Sequence, residues 1–191
     1  MPLSKLRVQG RYVVDEYGQS VRLVGVNKHG FEDYPNGVWM TITGVIRFGV
    51  WDPTIVQDNL DAMRAWGVNC LRLLDIVANW INNPDNHRQK VHDIITWCEQ
   101  RGIYVQYCMF DKVADADFAT FWQGVANELK IHNNVLLEFL NEPVATKVGS
   151  MDNWFNLVQQ TIAAVRAVTD HIIVVQWGYD IWVNLDYPTT P

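Results

Sequence analysis

Short apolar runs alternate with amphipathic segments along almost the whole chain, and few folds accept that alternation. The apolar runs are "VRLVGVN" (21–27), "VNCLRLL" (68–74), "IYVQYCMF" (103–110), "VLLEFL" (135–140) and "HIIVVQW" (171–177). Between them apolar residues recur at helical spacing: Val56, Leu60, Met63 and Trp66; then Val91, Ile94, Ile95 and Cys98. The third stripe is Phe118, Phe121, Trp122, Val125 and Leu129, and the fourth is Trp154, Val158, Thr161, Ile162, Val165 and Val168. Asp52-Pro53 supplies an N-cap and a first-turn proline for the first helix, and Gly67 and Gly102 close the first two. Strand starts recur about every 35 residues, the length of a strand–helix–strand unit. The pattern predicts adjacent parallel strands over 22–27, 68–74, 103–109, 135–140 and 171–177, in that order, joined by right-handed crossovers. Ahead of them "LRVQGRYVVD", the turn "EYGQ" and "VRLVGVN" read as a β-hairpin. Two α/β architectures fit, an open doubly wound sheet or a (β/α)8 barrel. A full barrel needs eight such units and typically about 250 residues, whereas this chain has 191.

Composition narrows the chemistry. A net charge of −6 disfavours nucleic acid as a partner, because phosphates need a basic surface. No apolar run approaches the roughly 18 residues that span a membrane, and residues 1–5 lack the apolar core of a secretory signal. The chain is therefore either intracellular or extracellular with its signal already removed. Cys70, Cys98 and Cys108 sit in apolar runs without a CxxC pair and read as buried free thiols. The five His show neither HxH nor HExxH spacing, so no metal and no cofactor is expected. Nine Trp are many for this length. Trp66, Trp97 and Trp122 lie on helix stripes and read as core. An indole face also matches the apolar face of a pyranose ring, so other Trp residues suit a sugar cleft.

In parallel α/β folds chemistry gathers at the carboxyl ends of strands. The five ends offer Asn27, Lys28, His29 and Glu32; Arg72 and Asp75; Asp111 and Lys112; Asn141 and Glu142; and Gln176 and Trp177, with Asp180 and Trp182 beyond. No Gly-rich phosphate loop and no GxSxG elbow is present. Carboxylates, an Arg, an amide and indoles remain, the groups that carbohydrate chemistry uses: an acid for a glycosidic oxygen, an amide for a hydroxyl, rings for stacking.

The sequence resembles glycoside hydrolase family 5, the cellulase and mannanase group within the retaining (β/α)8 clan. The resemblance rests on "VVDEYGQSVRLVGVNKHGFE" (13–32), "NLDAMRAWGVNCLRLL" (59–74), "RGIYVQ" (101–106), "EFLNEP" (138–143) and "AAVRAVTDHIIVVQW" (163–177), in order through almost the whole chain. It implies a partial (β/α)8 barrel, strands one to five of eight, as one incomplete catalytic domain over 1–191. It implies that Glu142 is the general acid/base, that Asn141 bonds the sugar 2-hydroxyl, and that Arg72 holds the catalytic carboxylates in register. The family often has a His near the end of strand three. Here "QYCMFDK" stands in its place, with Asp111 as a partial substitute.

Each residue also has a plainer reading. Glu142 suits a helix-start carboxylate, Asn141 a strand cap, and Arg72 an ion pair with Asp75 or Glu142. His29 fits a hydrogen-bonded core His as well as a sugar contact, and Trp177 and Trp182 fit core packing as well as cleft platforms. The family's nucleophile is a Glu at the end of strand seven. The 191 − 142 = 49 residues after Glu142 contain no Glu, only Asp152, Asp170, Asp180 and Asp186. Asp152 reads as a helix cap, Asp170 lies at the wrong end of a strand, and Asp180 is on the wrong strand for the family pattern.

The expectation is a glycosidase acting on β-1,4-linked polysaccharide or oligosaccharide by a retaining mechanism, in a truncated or split form lacking the nucleophile. Self-association or a complementary half-barrel chain would cover its open sheet edges. The alternatives are a non-catalytic carbohydrate-binding or assembling half barrel, and a doubly wound protein whose Asn-Glu-Pro is accidental.

Overall fold

The computed structural model describes residues 3–29, 38–41, 44–47, 52–82 and 84–176. In chain order the elements are β1 (Arg7–Gln9), β2 (Tyr12–Val14), β3 (Gly25–His29), β4 (Val38–Thr41), β5 (Gly44–Arg47), α1 (Pro53–Ala65), β6 (Cys70–Asp75), α2 (Val77–Asn82), α3 (Pro84–Gln100), β7 (Tyr104–Met109), α4 (Phe118–Leu129), β8 (Val135–Glu138), α5 (Ala145–Val148), α6 (Met151–Arg166) and β9 (Ile173–Val174). The central sheet has the order β3-β6-β7-β8-β9, and each neighbouring pair is parallel. This is the expected succession of strands, with the last one shorter than its apolar run. The hairpins β1–β2 and β4–β5 are separate and antiparallel.

Strand alternation assigns the two faces of the sheet. One face carries Leu71, Leu73, Val105, Tyr107, Met109, Val135 and Leu137, and these pack with the helix stripes into the main core. From the other face Cys70, Tyr104, Leu136 and Ile172 form a second, smaller cluster. Its remaining members, Leu6 with Leu3, Val13, Val21, Leu23 and Val174, bring no helix with them. A doubly wound sheet needs helices on both faces. Helices on one face and an inner face capped by the chain start make this a partial (β/α)8 barrel with an N-terminal hairpin.

Local chemistry sets the boundaries. Asp52 caps α1 by accepting from the Thr54 and Ile55 amides, with Pro53 in the first turn. Asn69 accepts from Val24 N–H at 2.7 Å and donates to the Arg22 carbonyl at 2.9 Å, which seats the approach to β3 beside β6. Asp61 of α1 and Arg101 after α3 form a two-bond ion pair.

Three expectations need correction. The run over 6–15 is itself folded into a hairpin, because Gly10 at φ 60° reverses the chain between β1 and β2. "EYGQ" is a turn as expected: Val14 and Ser20 form an antiparallel bridge around it, and Asp15 accepts from the Tyr17 and Gln19 amides. Asp152 does not cap α6: Ser150 does, by accepting from Asn153 N–H. Trp66 is not core but 77 % exposed, since α1 ends at Ala65 and the C-cap position carries the indole away from the buried stripe of Val56, Leu60 and Met63. Trp122 is wholly buried, Trp97 packs against the core, and all three cysteines are buried and free.

Candidate active site

Four of the five central strands bring a polar residue to the inner face: Arg72 on β6, Gln106 on β7, Glu138 on β8, and Gln176 just beyond β9. They converge on Glu138, which is wholly buried. Arg72 donates to both Glu138 oxygens, Nε to Oε2 and Nη2 to Oε1, each at 2.6 Å. Gln106 Nε2 donates to Oε2 at 2.6 Å and Gln176 Nε2 to Oε1 at 2.5 Å. The carboxylate thus accepts four short bonds, two of them from a planar guanidinium fork. Burial works against the Arg72 charge, but the bond to Glu138 and the Glu138 charge outweigh it, and the Arg72 pKa lies above its ordinary value. Cys108, 3.5 Å from Arg72 Nη2, is pushed up by burial and then by the Glu138 charge, so it stays a thiol.

Arg72 also reaches Asn141 Oδ1 at 2.9 Å and Asn27 Oδ1 at 3.4 Å. An Arg can only donate, so Oδ1 is the oxygen of the Asn141 amide and Nδ2 is its other end. That Nδ2 is buried and has no hydrogen-bond partner among the described residues. An orphaned buried donor costs about 1–3 kcal/mol, so the site holds a polar group ready for an acceptor.

Glu142 follows directly, half-buried and at φ 53°. The left-handed region costs a non-glycine residue ~1–2 kcal/mol. The Glu142 N–H donates to Gln176 Oε1 at 3.0 Å. The Glu142 carbonyl accepts from Val144 N–H at 2.8 Å across Pro143. On the far side α5 brings Lys147 back, and its Nζ donates to the Asn141 carbonyl at 2.6 Å and the Phe110 carbonyl at 3.2 Å. Burial lowers the Lys147 pKa, with Glu142 opposing that shift.

The structure therefore brings Arg72, Asn141 and Glu142 to the carboxyl end of the sheet, but it changes Arg72's partner. The ion pair is with Glu138, not Asp75 or Glu142, because the pleat places Glu138 on Arg72's face. Asp75 lies on the helix side, bonded by His87 Nε2 at 2.8 and 2.9 Å and by the Tyr107 hydroxyl. Asp111 is exposed and accepts from Val77 N–H at 2.9 Å, at the start of α2. His29 is the last residue of β3, paired with Leu74. Trp177, Trp182 and Asp180 lie outside the described residues. The reading of strand ends missed Glu138, Gln106 and Lys147. A lone polar residue in the middle of an apolar run was the available signal for the first two. Lys147 had none, since a four-residue helix brings it in. Among the described residues no group of three or more His, Cys, Asp or Glu is placed to hold a metal ion.

A profile of the cellulase family, glycosyl hydrolase family 5, matches residues 14–190. The chain belongs to glycoside hydrolase family 5. Among curated relatives of this family 5 chain, an endoglucanase of Clostridium saccharobutylicum is 24 % identical over 204 residues, covering 96 % of this chain and 40 % of that protein. An endoglucanase of Thermobifida fusca is 26 % identical over 191 residues, covering 95 % and 36 %. The chain thus spans well under half the length of these two relatives. Solved structures share the fold. A β-glucanase of Saccharophagus degradans in complex with cellotetraose superposes with a TM-score of 0.71 at 17 % identity, covering 95 % of this chain and 57 % of that one. The catalytic domain of the major endoglucanase of Xanthomonas campestris gives 0.69 at 23 %, covering 90 % and 56 %.

Proposed function

We propose that this family 5 chain supplies the acid/base half of a retaining glycosidase site that acts on β-1,4-linked glucan. The observation that carries the reading is the pair Asn141–Glu142: an amide with its oxygen pinned by Arg72 and its Nδ2 free, next to a half-buried carboxyl group at the strand end. In this reading Glu142 protonates the leaving glycosidic oxygen and later deprotonates water, and Asn141 Nδ2 donates to the sugar 2-hydroxyl. Arg72 keeps the amide in place, and His29, Asp111, Trp177 and Trp182 are the further residues assigned to sugar contact. A retaining site needs a second carboxyl group about 5–5.5 Å from the first. No Glu follows Glu142 in the chain, so the nucleophile comes from another polypeptide segment. Within the central sheet, β3 and β9 each pair on one side only among the described residues. Those edges would accept further strands, whether from the rest of a longer protein, a complementary half barrel or a second copy. A polymeric glucan does not cross membranes, which places the work outside the cell; no described helix is long and apolar enough to span one.

The missing carboxylate also favours a second reading, a half barrel that binds the sugar without cleaving it. One experiment separates the two: hydrolysis of soluble β-1,4-glucan and mannan by the 191-residue chain, with Glu142→Gln as control and light scattering for mass. The expected result is an associated chain that binds cello-oligosaccharide and turns it over slowly at most. Robust Glu142-dependent turnover by a monomer would mean that a carboxylate of this chain completes the pair. Cello-oligosaccharide binding indifferent to Asn141→Ala would remove the site from the explanation.

A further inference from the structure

The peptide group joining Asn141 to Glu142 has two polar atoms, and each is held by a side chain from elsewhere. Its carbonyl oxygen accepts from Lys147 Nζ at 2.6 Å, and its N–H donates to Gln176 Oε1 at 3.0 Å. Neither grip is loose. The second arm of Gln176 donates to the buried Glu138 carboxylate at 2.5 Å, which fixes which end of the amide faces Glu142. The second bond of Lys147 goes to the Phe110 carbonyl at the end of β7. The gripped peptide leads into a non-glycine residue at φ 53°, a conformation that persists only where surroundings impose it. The natural escape is a flip of this peptide, which would swap the directions of C=O and N–H and re-aim Glu142.

We infer that Lys147 and Gln176 are positioning residues that lock the Asn141–Glu142 peptide against this flip and so set the direction of the Glu142 side chain. The inference deepens the proposed function and takes from it the reading of Glu142 as acid/base. The grip spans three strand ends: β7 through Phe110, β8 through Asn141 and the segment after β9 through Gln176.

The test is nuclear magnetic resonance on the labelled 191-residue chain, with Lys147→Met, Lys147→Arg and Gln176→Leu. In the wild type the Glu142 amide proton is protected from exchange, and its coupling to Hα and its Cα and Cβ shifts report a left-handed residue. Lys147→Met and Gln176→Leu shift those signals toward the right-handed or extended values or split them, while Lys147→Arg, which keeps a donor, restores the left-handed set. Cellotetraose affinity falls about tenfold in the first two variants, the worth of one hydrogen bond. An unprotected Glu142 amide in the wild type overturns the inference without any variant, so a substitution that fails to fold does not shelter it. Unchanged Glu142 signals in folded Lys147→Met and Gln176→Leu overturn it too. If wild type binds no cellotetraose while the Glu142 signals respond as expected, the sugar reading falls and the grip stands.

Discussion

Two layers of side chains on the inner face of the sheet lie only two residues apart along β6, β7 and β8, yet they are chemical opposites. Cys70, Tyr104, Leu136 and Ile172 make the lower layer, dry and capped by Leu6 of the N-terminal segment. One step up, Arg72, Gln106 and Glu138, joined by Gln176, form a polar layer with the carboxylate wholly buried at its centre. The lower layer is held by the hydrophobic effect, which tolerates repacking. The upper layer is held by directional bonds around one buried charge, and it fails if one partner goes. A barrel interior filled by apolar side chains is only a core. Breaking the pattern at one level, at the carboxyl ends of the strands, creates a place for chemistry.

The comparison is broken most sharply at Arg72. Arg72→Met leaves Glu138 buried without its cation and is expected to lower stability by about 3–5 kcal/mol, read by urea unfolding. A second substitution, Glu138→Leu on top of it, should recover much of that loss, since an apolar pair has no charge to strand. In the lower layer Leu136→Ala should cost about 2–4 kcal/mol by leaving a cavity, with the side-chain amide signals of Gln106 and Gln176 unmoved. Gly25→Ala probes the same level from β3. A Cβ there would meet the Cys70 carbonyl oxygen at 2.6 Å, so β3 must move from β6 at about 1–3 kcal/mol, visible as a lower thermal midpoint.

Acid sharpens the contrast. His132 and His171 lie before β8 and β9, below the apolar layer, and His171 Nε2 donates to the His132 carbonyl at 2.7 Å. Burial, helped by His92 and His171, lowers the His132 pKa to about 4, and burial lowers that of His171. Both values lie below those of the unfolded chain, so the unfolded state takes up protons first. Their contribution is intact above pH 6.5 and fades as pH falls toward 4, by roughly 1–3 kcal/mol for His132. His132→Gln should flatten that part of the stability profile. The smallest effect is expected at Trp66: exposed at the end of α1, it should change stability by less than about 0.5 kcal/mol when replaced by Ala.

Much of this was legible beforehand. The strand–helix alternation announced the parallel order, and Asp52-Pro53 announced the start of α1, because periodicity and caps are local properties. Trp66 misled for the same reason: it continued the stripe beyond the point where the helix stopped. Asp152 misled as a cap because another capping residue, Ser150, stands two positions earlier and the backbone geometry puts it at the N-cap.

The sequence by itself determined that five apolar runs would be strands, that their ends would be polar, and that Asn141 and Glu142 would stand together at one of them. Only the tertiary structure decided which carboxylate Arg72 would hold. Asp75 and Glu142 stood at predicted strand ends and Glu138 inside a predicted strand, and the pleat and register gave Arg72 to Glu138. It also decided that Lys147, from a four-residue helix, and Gln176, from beyond the last strand, would close on a single peptide. A strand can be read from its own residues, because burial acts on them one by one. A hydrogen bond at 2.6 Å between residues that distant elements bring together depends on how every element between them packs.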